Sequence, residues 1–91
     1  MPNMANLKTL AELTPGETAR VVEIVAAPHL ALSILEIGIV KGVNVLHLRT
    51  APLGGPIQVE VEGFLLSLRR DEARAILVES NGKPGSEGWK R

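Results

Sequence analysis

Two histidines, His29 and His47, are the side chains of this 91-residue sequence best suited to bind a metal ion or transfer a proton. No ligand spacing such as H-x-x-x-H joins them. If the segment after Pro28 is helical, Glu36 lies two turns beyond His29 on the same face. One carboxylate and one imidazole are too few ligands for a stable site, and the absence of cysteine excludes thiolate ligands. We expect no metal centre and no cofactor, while adventitious binding at either histidine stays open.

Nucleophilic catalysis has no better support. Four serines lack any motif that would place a base and an orienting acid beside them: Ser33, Ser67, Ser80 and Ser86. Glu60 and Glu62 alternate with apolar residues, as on the solvent face of a strand. The pair Gly54-Gly55 fits neither common phosphate-binding pattern. The sequence therefore predicts a protein that is not an enzyme.

One basic cluster, formed by Arg69, Arg70 and Arg74, could contact nucleic acid. Acidic neighbours offset it, and the whole chain balances 10 basic against 10 acidic residues. Small barrels that bind nucleic acid or proline-rich peptides usually present aromatic side chains. The two aromatic residues here are Phe64, which we expect in the core, and Trp89, near the carboxyl end. We expect neither nucleic acid nor a proline-rich ligand.

Short apolar segments separated by Gly and Pro turns are the elements that would position these residues. They predict about five strands, at residues 19–25, 43–50, 57–62, 64–68 and 76–79. One helix is expected at 29–37. A short helical turn is expected to begin with residues 69–72, and residues 7–13 are spaced as in a helical turn before the first strand. Strands of this length favour a small barrel, because closure removes exposed edges. Residues 80–91 lack core residues and are expected to form a flexible tail.

Four segments of this sequence resemble the FeoA family, ferrous-iron transport protein A. They are LTPGE at 13–17, LEIGIVKG at 35–42, APLGGPI at 51–57 and, after Gly63, LRRDEA at 68–73. The resemblance covers residues 7–79 and implies one SH3-like β-barrel. A similar domain ends iron-dependent repressors of the diphtheria-toxin-repressor type.

The resemblance implies a cytoplasmic accessory protein that contacts a FeoB-type ferrous-iron transporter rather than carrying iron itself. The sequence shows no apolar run long enough to span a membrane, so we expect no direct membrane insertion. The alternative is a stand-alone regulatory barrel that binds metal or nucleic acid. A weak homo-oligomer stays open.

The helix at 29–37 is the predicted contact surface, because its apolar content exceeds what one buried stripe requires. Ala31-Leu32-Ser33 stands where family members often carry basic residues, which favours an apolar contact. The predicted partner-binding residues are Leu30, Leu32, Ile34 and Leu35, with Leu53 and Gly54 in the adjoining loop. Core packing of the same residues is the competing interpretation.

Overall fold

A single antiparallel sheet forms the framework of the protein. The computed structural model describes residues 6–82, and within them six strands lie in the order β1-β6-β2-β3-β4-β5. In chain order, the elements are β1 (Leu7–Thr9), β2 (Thr18–Ile24), α1 (Pro28–Ile37), β3 (Asn44–Thr50), β4 (Ile57–Val61), β5 (Phe64–Leu68), α2 (Arg70–Arg74) and β6 (Ile76–Gly82). The predicted mainly β fold, with one inserted helix and a helical turn before the last strand, is confirmed.

The amino-terminal segment differs from the prediction. Residues 7–13 were expected to form a helical turn, but Leu7–Thr9 is a strand that pairs with β6, and only Leu10–Glu12 forms a 3-10 turn. The leucine spacing signalled burial correctly for Leu10 and Leu13. Pairing with β6 determines the conformation of the residues before them, so the sheet has six strands rather than five.

Helix α1 begins and ends at the residues that its sequence indicates. Pro28 occupies the first turn, where its missing N–H costs no hydrogen bond. Gly38 adopts a left-handed conformation with φ of 106°, and its N–H donates to the carbonyls of Ile34 and Leu35. Ile34 is fully buried in the core, and Leu30 and Ile37 pack partly against it. These three side chains fix the helix on the sheet.

The core follows the alternation of the strands. Ile57, Val59 and Val61 are buried along β4, whereas Gln58 between them is exposed, as the sequence pattern predicts. The other buried apolar side chains include Val21 and Val78 of the paired central strands β2 and β6. No helix of the described region is long and apolar enough to cross a bilayer.

The β4–β5 hairpin corrects one core assignment. Phe64, Leu66 and Leu68 were expected to face inward together, yet Phe64 is 72% exposed, Leu66 is half-buried and Leu68 is fully buried. The alternation of residues along a strand determines on which face of the sheet each side chain lies. It does not determine how much of that face is covered by other parts of the protein. β5 is an edge strand, and Phe64 stands at its outer end beside the turn.

Strand β6 extends beyond the predicted boundary. It was expected at 76–79 with a tail from residue 80, but pairing continues to Gly82, which lies opposite Thr18. Ser80 and Asn81 therefore belong to the sheet. The rest of the expected tail, with Ser86 and Trp89, lies outside the described residues.

Candidate functional site

A buried carboxylate, Glu17, lies where β1, β2 and β6 meet. It is only 6% exposed. The Lys8 ammonium donates to its Oε2 at 3.0 Å, and the Ser80 hydroxyl donates to the same oxygen. The backbone N–H and hydroxyl of Thr14 donate to Oε1 at 2.9 and 3.1 Å. Both carboxylate oxygens are thus occupied by donors of the protein itself.

These contacts determine the protonation of Glu17. Burial alone would raise its pKa, but the hydrogen bonds from Ser80, Thr14 and Lys8, together with the positive charge of Lys8, lower the pKa to about 2. The group is therefore a carboxylate throughout the physiological range. A strongly shifted pKa can indicate a catalytic group, but here the perturbing contacts hold the fold together: Lys8 and Ser80 belong to β1 and β6, and Thr14 belongs to the turn before β2.

His47 is the second buried polar residue, on the neighbouring strand β3. Its Nε2 lies 2.8 Å from the Thr50 hydroxyl, and its Nδ1 has no partner among the described residues. Its backbone N–H donates to the Glu17 carbonyl, and its own carbonyl accepts from Gly16. Burial lowers the pKa of His47, so the imidazole is held neutral. His47 is thus fully buried with only its Nε2 hydrogen-bonded within the described residues.

We call Glu17, Lys8, Thr14 and Ser80 the Glu17 cluster. Its hydrogen bonds connect β1, β6 and the turn before β2, so its role is structural. No group of three His, Cys, Asp or Glu residues in the described range 6–82 comes close enough to hold a metal ion. Sequence reasoning missed Glu17 because it follows a Pro-Gly turn, where an acidic residue is usually solvated. Its position in the LTPGE segment was the available signal. His29 and Glu36 are both exposed on α1.

The outer face of α1 carries the exposed part of the predicted contact surface. Leu32 is 55% exposed and Leu35 48% exposed, and their three-residue spacing puts them on one side of the helix. Leu35 borders a shallow depression of about 250 Å³ whose other lining residues are Glu23, Ile24, Ala31 and Lys41. Glu23 and Lys41 form an exposed ion pair at 3.3 Å. We call Leu32, Leu35 and this depression the helix surface.

The remaining predicted contact residues are elsewhere. Ile34 is fully buried and cannot contact a partner, and Leu30 is half-buried against the core. Leu53 is fully exposed, but its loop follows the end of β3 at Thr50, whereas α1 leads into the opposite end of that strand at Asn44. The structure thus separates the Leu53-Gly54 loop from the helix along the length of β3.

The arginine cluster is divided by its contacts. Arg70 is half-buried, and its Nε donates to the Gly55 carbonyl at 3.0 Å, which ties α2 to the loop after β3. Arg69 and Arg74 are exposed. Only two of the three guanidinium groups therefore face solvent freely.

Comparison with known proteins gives the family of this fold. A family model described as the FeoA domain matches residues 8–80. An Fe(2+) transport protein A/Fe(2+) transporter FeoB fusion protein of Porphyromonas gingivalis is 34% identical over 70 residues. That match covers 77% of this chain but only 8% of the fusion protein.

Solved structures agree with this assignment. FeoA from Chlorobium tepidum is 36% identical with a TM-score of 0.72, over 91% of this chain and 87% of that protein. Zinc-complexed FeoA from Stenotrophomonas maltophilia, described as a prokaryotic SH3 domain protein, is 32% identical with a TM-score of 0.67, over 78% and 88%. A manganese-dependent transcriptional repressor aligns at 26% identity and TM-score 0.77, over 88% of this chain and 43% of the repressor. The SH3-like fold and the expected likeness to metal-dependent repressors are confirmed, and the chain belongs to the FeoA family.

Proposed function

We propose that this protein is a cytoplasmic accessory protein of ferrous-iron uptake that binds the cytoplasmic part of a FeoB-type transporter. The observation that carries the proposal is the related polypeptide in which a FeoA part and a FeoB transporter are fused. Fusion keeps two domains at high effective concentration. A separate FeoA protein would need a binding surface to achieve the same association.

The helix surface is our candidate for that contact. Leu32 and Leu35 expose about half of their area, so covering both would contribute roughly 2 kcal/mol if full burial of one leucine contributes about 2 kcal/mol. Within the helix surface, the exposed Glu23–Lys41 ion pair lies beside Leu35. Protein interfaces usually combine an apolar centre with such a polar rim. The exposed fraction of these leucines is available without unfolding the core.

Binding measurements with the purified cytoplasmic part of the cognate transporter test this proposal. Leu32→Glu and Leu35→Glu should each weaken binding at least about tenfold, which corresponds to ~1.4 kcal/mol. Ser33→Glu is the matched control, because it adds the same charge at an exposed position of the same helix. Circular dichroism and thermal unfolding should show that all three variants fold.

The result also decides between the helix and the loop. If Leu53→Glu weakens binding while the helix variants do not, the contact lies at the loop after β3 and our surface is wrong. The family resemblance implies a guanine-nucleotide-binding domain in the cytoplasmic part of the transporter. Guanine nucleotide should therefore be present in one series and absent in the other, since a bound nucleotide can shift the transporter between conformations. Absence of binding in both series would refute the transporter role.

A parallel titration with DNA and RNA tests the regulatory alternative. Nucleic-acid binding through exposed cations such as Arg69 and Arg74 would weaken steeply as salt increases. We expect no such binding, because the described residues present Phe64 as their one exposed aromatic side chain. Tight, salt-sensitive binding would favour the regulatory function instead.

A further inference from the structure

Strand β5 is an edge of the sheet that lacks the usual protection against pairing. Its sequence, FLLSL, contains no charge and no proline. Natural edge strands commonly carry lysine, proline or a bulge that prevents another strand from adding to them. The opposite edge, β1, has only three residues and includes Lys8. β5 is therefore the edge of the described sheet most suited to accept another strand.

The hairpin geometry shows which backbone groups of β5 are available. Glu62 and Gly63 form the two-residue turn with φ of 50° and 88°, as in a type I′ hairpin. Val61 and Phe64, which flank this turn, are then a hydrogen-bonded pair, and the pattern alternates along the strands. The N–H and C=O groups of Leu65 and Ser67 consequently point away from β4, toward the free edge.

Apolar side chains accompany these groups. Leu65 is 74% exposed, a similar fraction to Phe64 on the other face of the strand. Phe64 and Leu65 also border a cleft of about 470 Å³ with Ile37 and Gly38 at the end of α1. An added strand would cover apolar surface on both faces of the edge.

We propose that β5 pairs antiparallel with β5 of a second copy of this chain, about a two-fold axis at Leu66. In this register Leu65 of each copy lies opposite Ser67 of the other. In each of these two pairs, the backbone N–H of either residue donates to the C=O of its partner. Phe64 lies opposite Leu68 on one face. The proposal does not depend on the transporter role.

Charge complementarity favours a second copy as the occupant and selects this register. Glu62 lies two residues before β5 and Arg69 directly follows it, and both are exposed. Pairing centred at Leu66 brings Arg69 of one copy opposite Gly63 of the other, next to Glu62, and the two-fold axis repeats this contact. Pairing centred at Ser67 would instead place Phe64 opposite Arg70. A change of register by one residue would place the outward N–H and C=O groups of one strand opposite residues whose own groups point toward β4.

The expected complex is weak, because one five-residue strand and a few apolar side chains form less contact than a standard stable interface. Sedimentation velocity over a wide protein concentration range should show a monomer–dimer equilibrium. Leu65→Lys should raise the dissociation constant at least about tenfold. Leu53→Lys is the matched control: it adds the same charge at an exposed leucine outside β5, and it should leave the constant unchanged.

Two further measurements identify the surface. Ser67→Pro removes an outward N–H without removing a bond to β4, and it should abolish dimer formation. The amide hydrogens of Leu65 and Ser67 should exchange more slowly at high protein concentration, where the dimer forms. In a separate measurement, Arg69→Glu should weaken the dimer most at low salt. A wild-type chain that stays monomeric at millimolar concentration, or a dimer that persists in both folded β5 variants, would overturn the proposal.

Discussion

Replacing Glu17 by glutamine removes the buried charge while keeping the size of the side chain. The pKa of Glu17 falls from 4.5 to about 2 on folding, and each pKa unit corresponds to ~1.4 kcal/mol. The charged form therefore contributes about 3 kcal/mol to the free energy of unfolding near neutral pH. Glutamine can keep some hydrogen bonds but not the attraction to the charge of Lys8. We therefore expect Glu17→Gln to lower the free energy of unfolding by about 2–3 kcal/mol near neutral pH.

The pH dependence distinguishes the charge from the shape of the side chain. Between about pH 4.5 and about pH 2, unfolded Glu17 binds a proton and native Glu17 does not, so acid favours the unfolded state. The stabilisation is complete above the unfolded pKa and is lost as pH falls through the folded pKa. The wild-type protein should accordingly approach the stability of the Glu17→Gln variant in acid.

Urea unfolding at constant ionic strength, measured from neutral pH to about pH 2, gives both quantities. Other carboxylates titrate in both proteins and cancel in the difference. Glu12→Gln is a suitable control, because Glu12 is exposed and accepts a local hydrogen bond from the Thr9 backbone N–H. A difference below about 0.5 kcal/mol near neutral pH, or one that does not change with pH, would refute this account of the cluster.

Three further predictions concern the helix and the second buried polar residue. Ile34→Ala should destabilise the protein by about 3 kcal/mol in chemical unfolding, as expected for a large-to-small change in a core, whereas Leu32→Ala should cost far less. Gly38→Ala should cost about 1 kcal/mol or more in the same assay, because its φ is 106°. Since burial lowers the pKa of native His47, the unfolded state binds more protons below about pH 6.5 and stability should fall there. Thermal unfolding of His47→Gln at two pH values should show less of this decline, and His29→Gln should keep it.

Local patterns in the sequence were sufficient to predict most of the elements. The alternation of β4, the proline at the start of α1 and the glycine after its end are properties of neighbouring residues, and each led to the observed element. Phe64 and β1 depended instead on distant neighbours: the absence of a cover at the sheet edge and the pairing with β6. Such information is not contained in a short segment, so those predictions were wrong.

The candidate site was predictable to a smaller extent for the same reason. An apolar surplus in α1 predicted one contact surface on the helix, but it could not separate Leu32 and Leu35, which are exposed, from Ile34, which is buried. Glu17 depends on donors from Lys8 and Ser80, which come from opposite ends of the described chain. Only the assembled sheet brings these groups together.

The two proposed surfaces are close together and can be tested for independence. The end of α1 and the start of β5 share one cleft, lined by Ile37 and Phe64 among others, whereas Leu32 and Leu35 lie on the outer face of the helix. A partner on that outer face would leave the backbone edge of Leu65 free. Leu32→Glu should therefore weaken transporter binding without changing the monomer–dimer constant, and Leu65→Lys should do the reverse. If either variant changes both constants, transporter binding and self-pairing are coupled through the cleft, and the proposed division into separate surfaces is wrong.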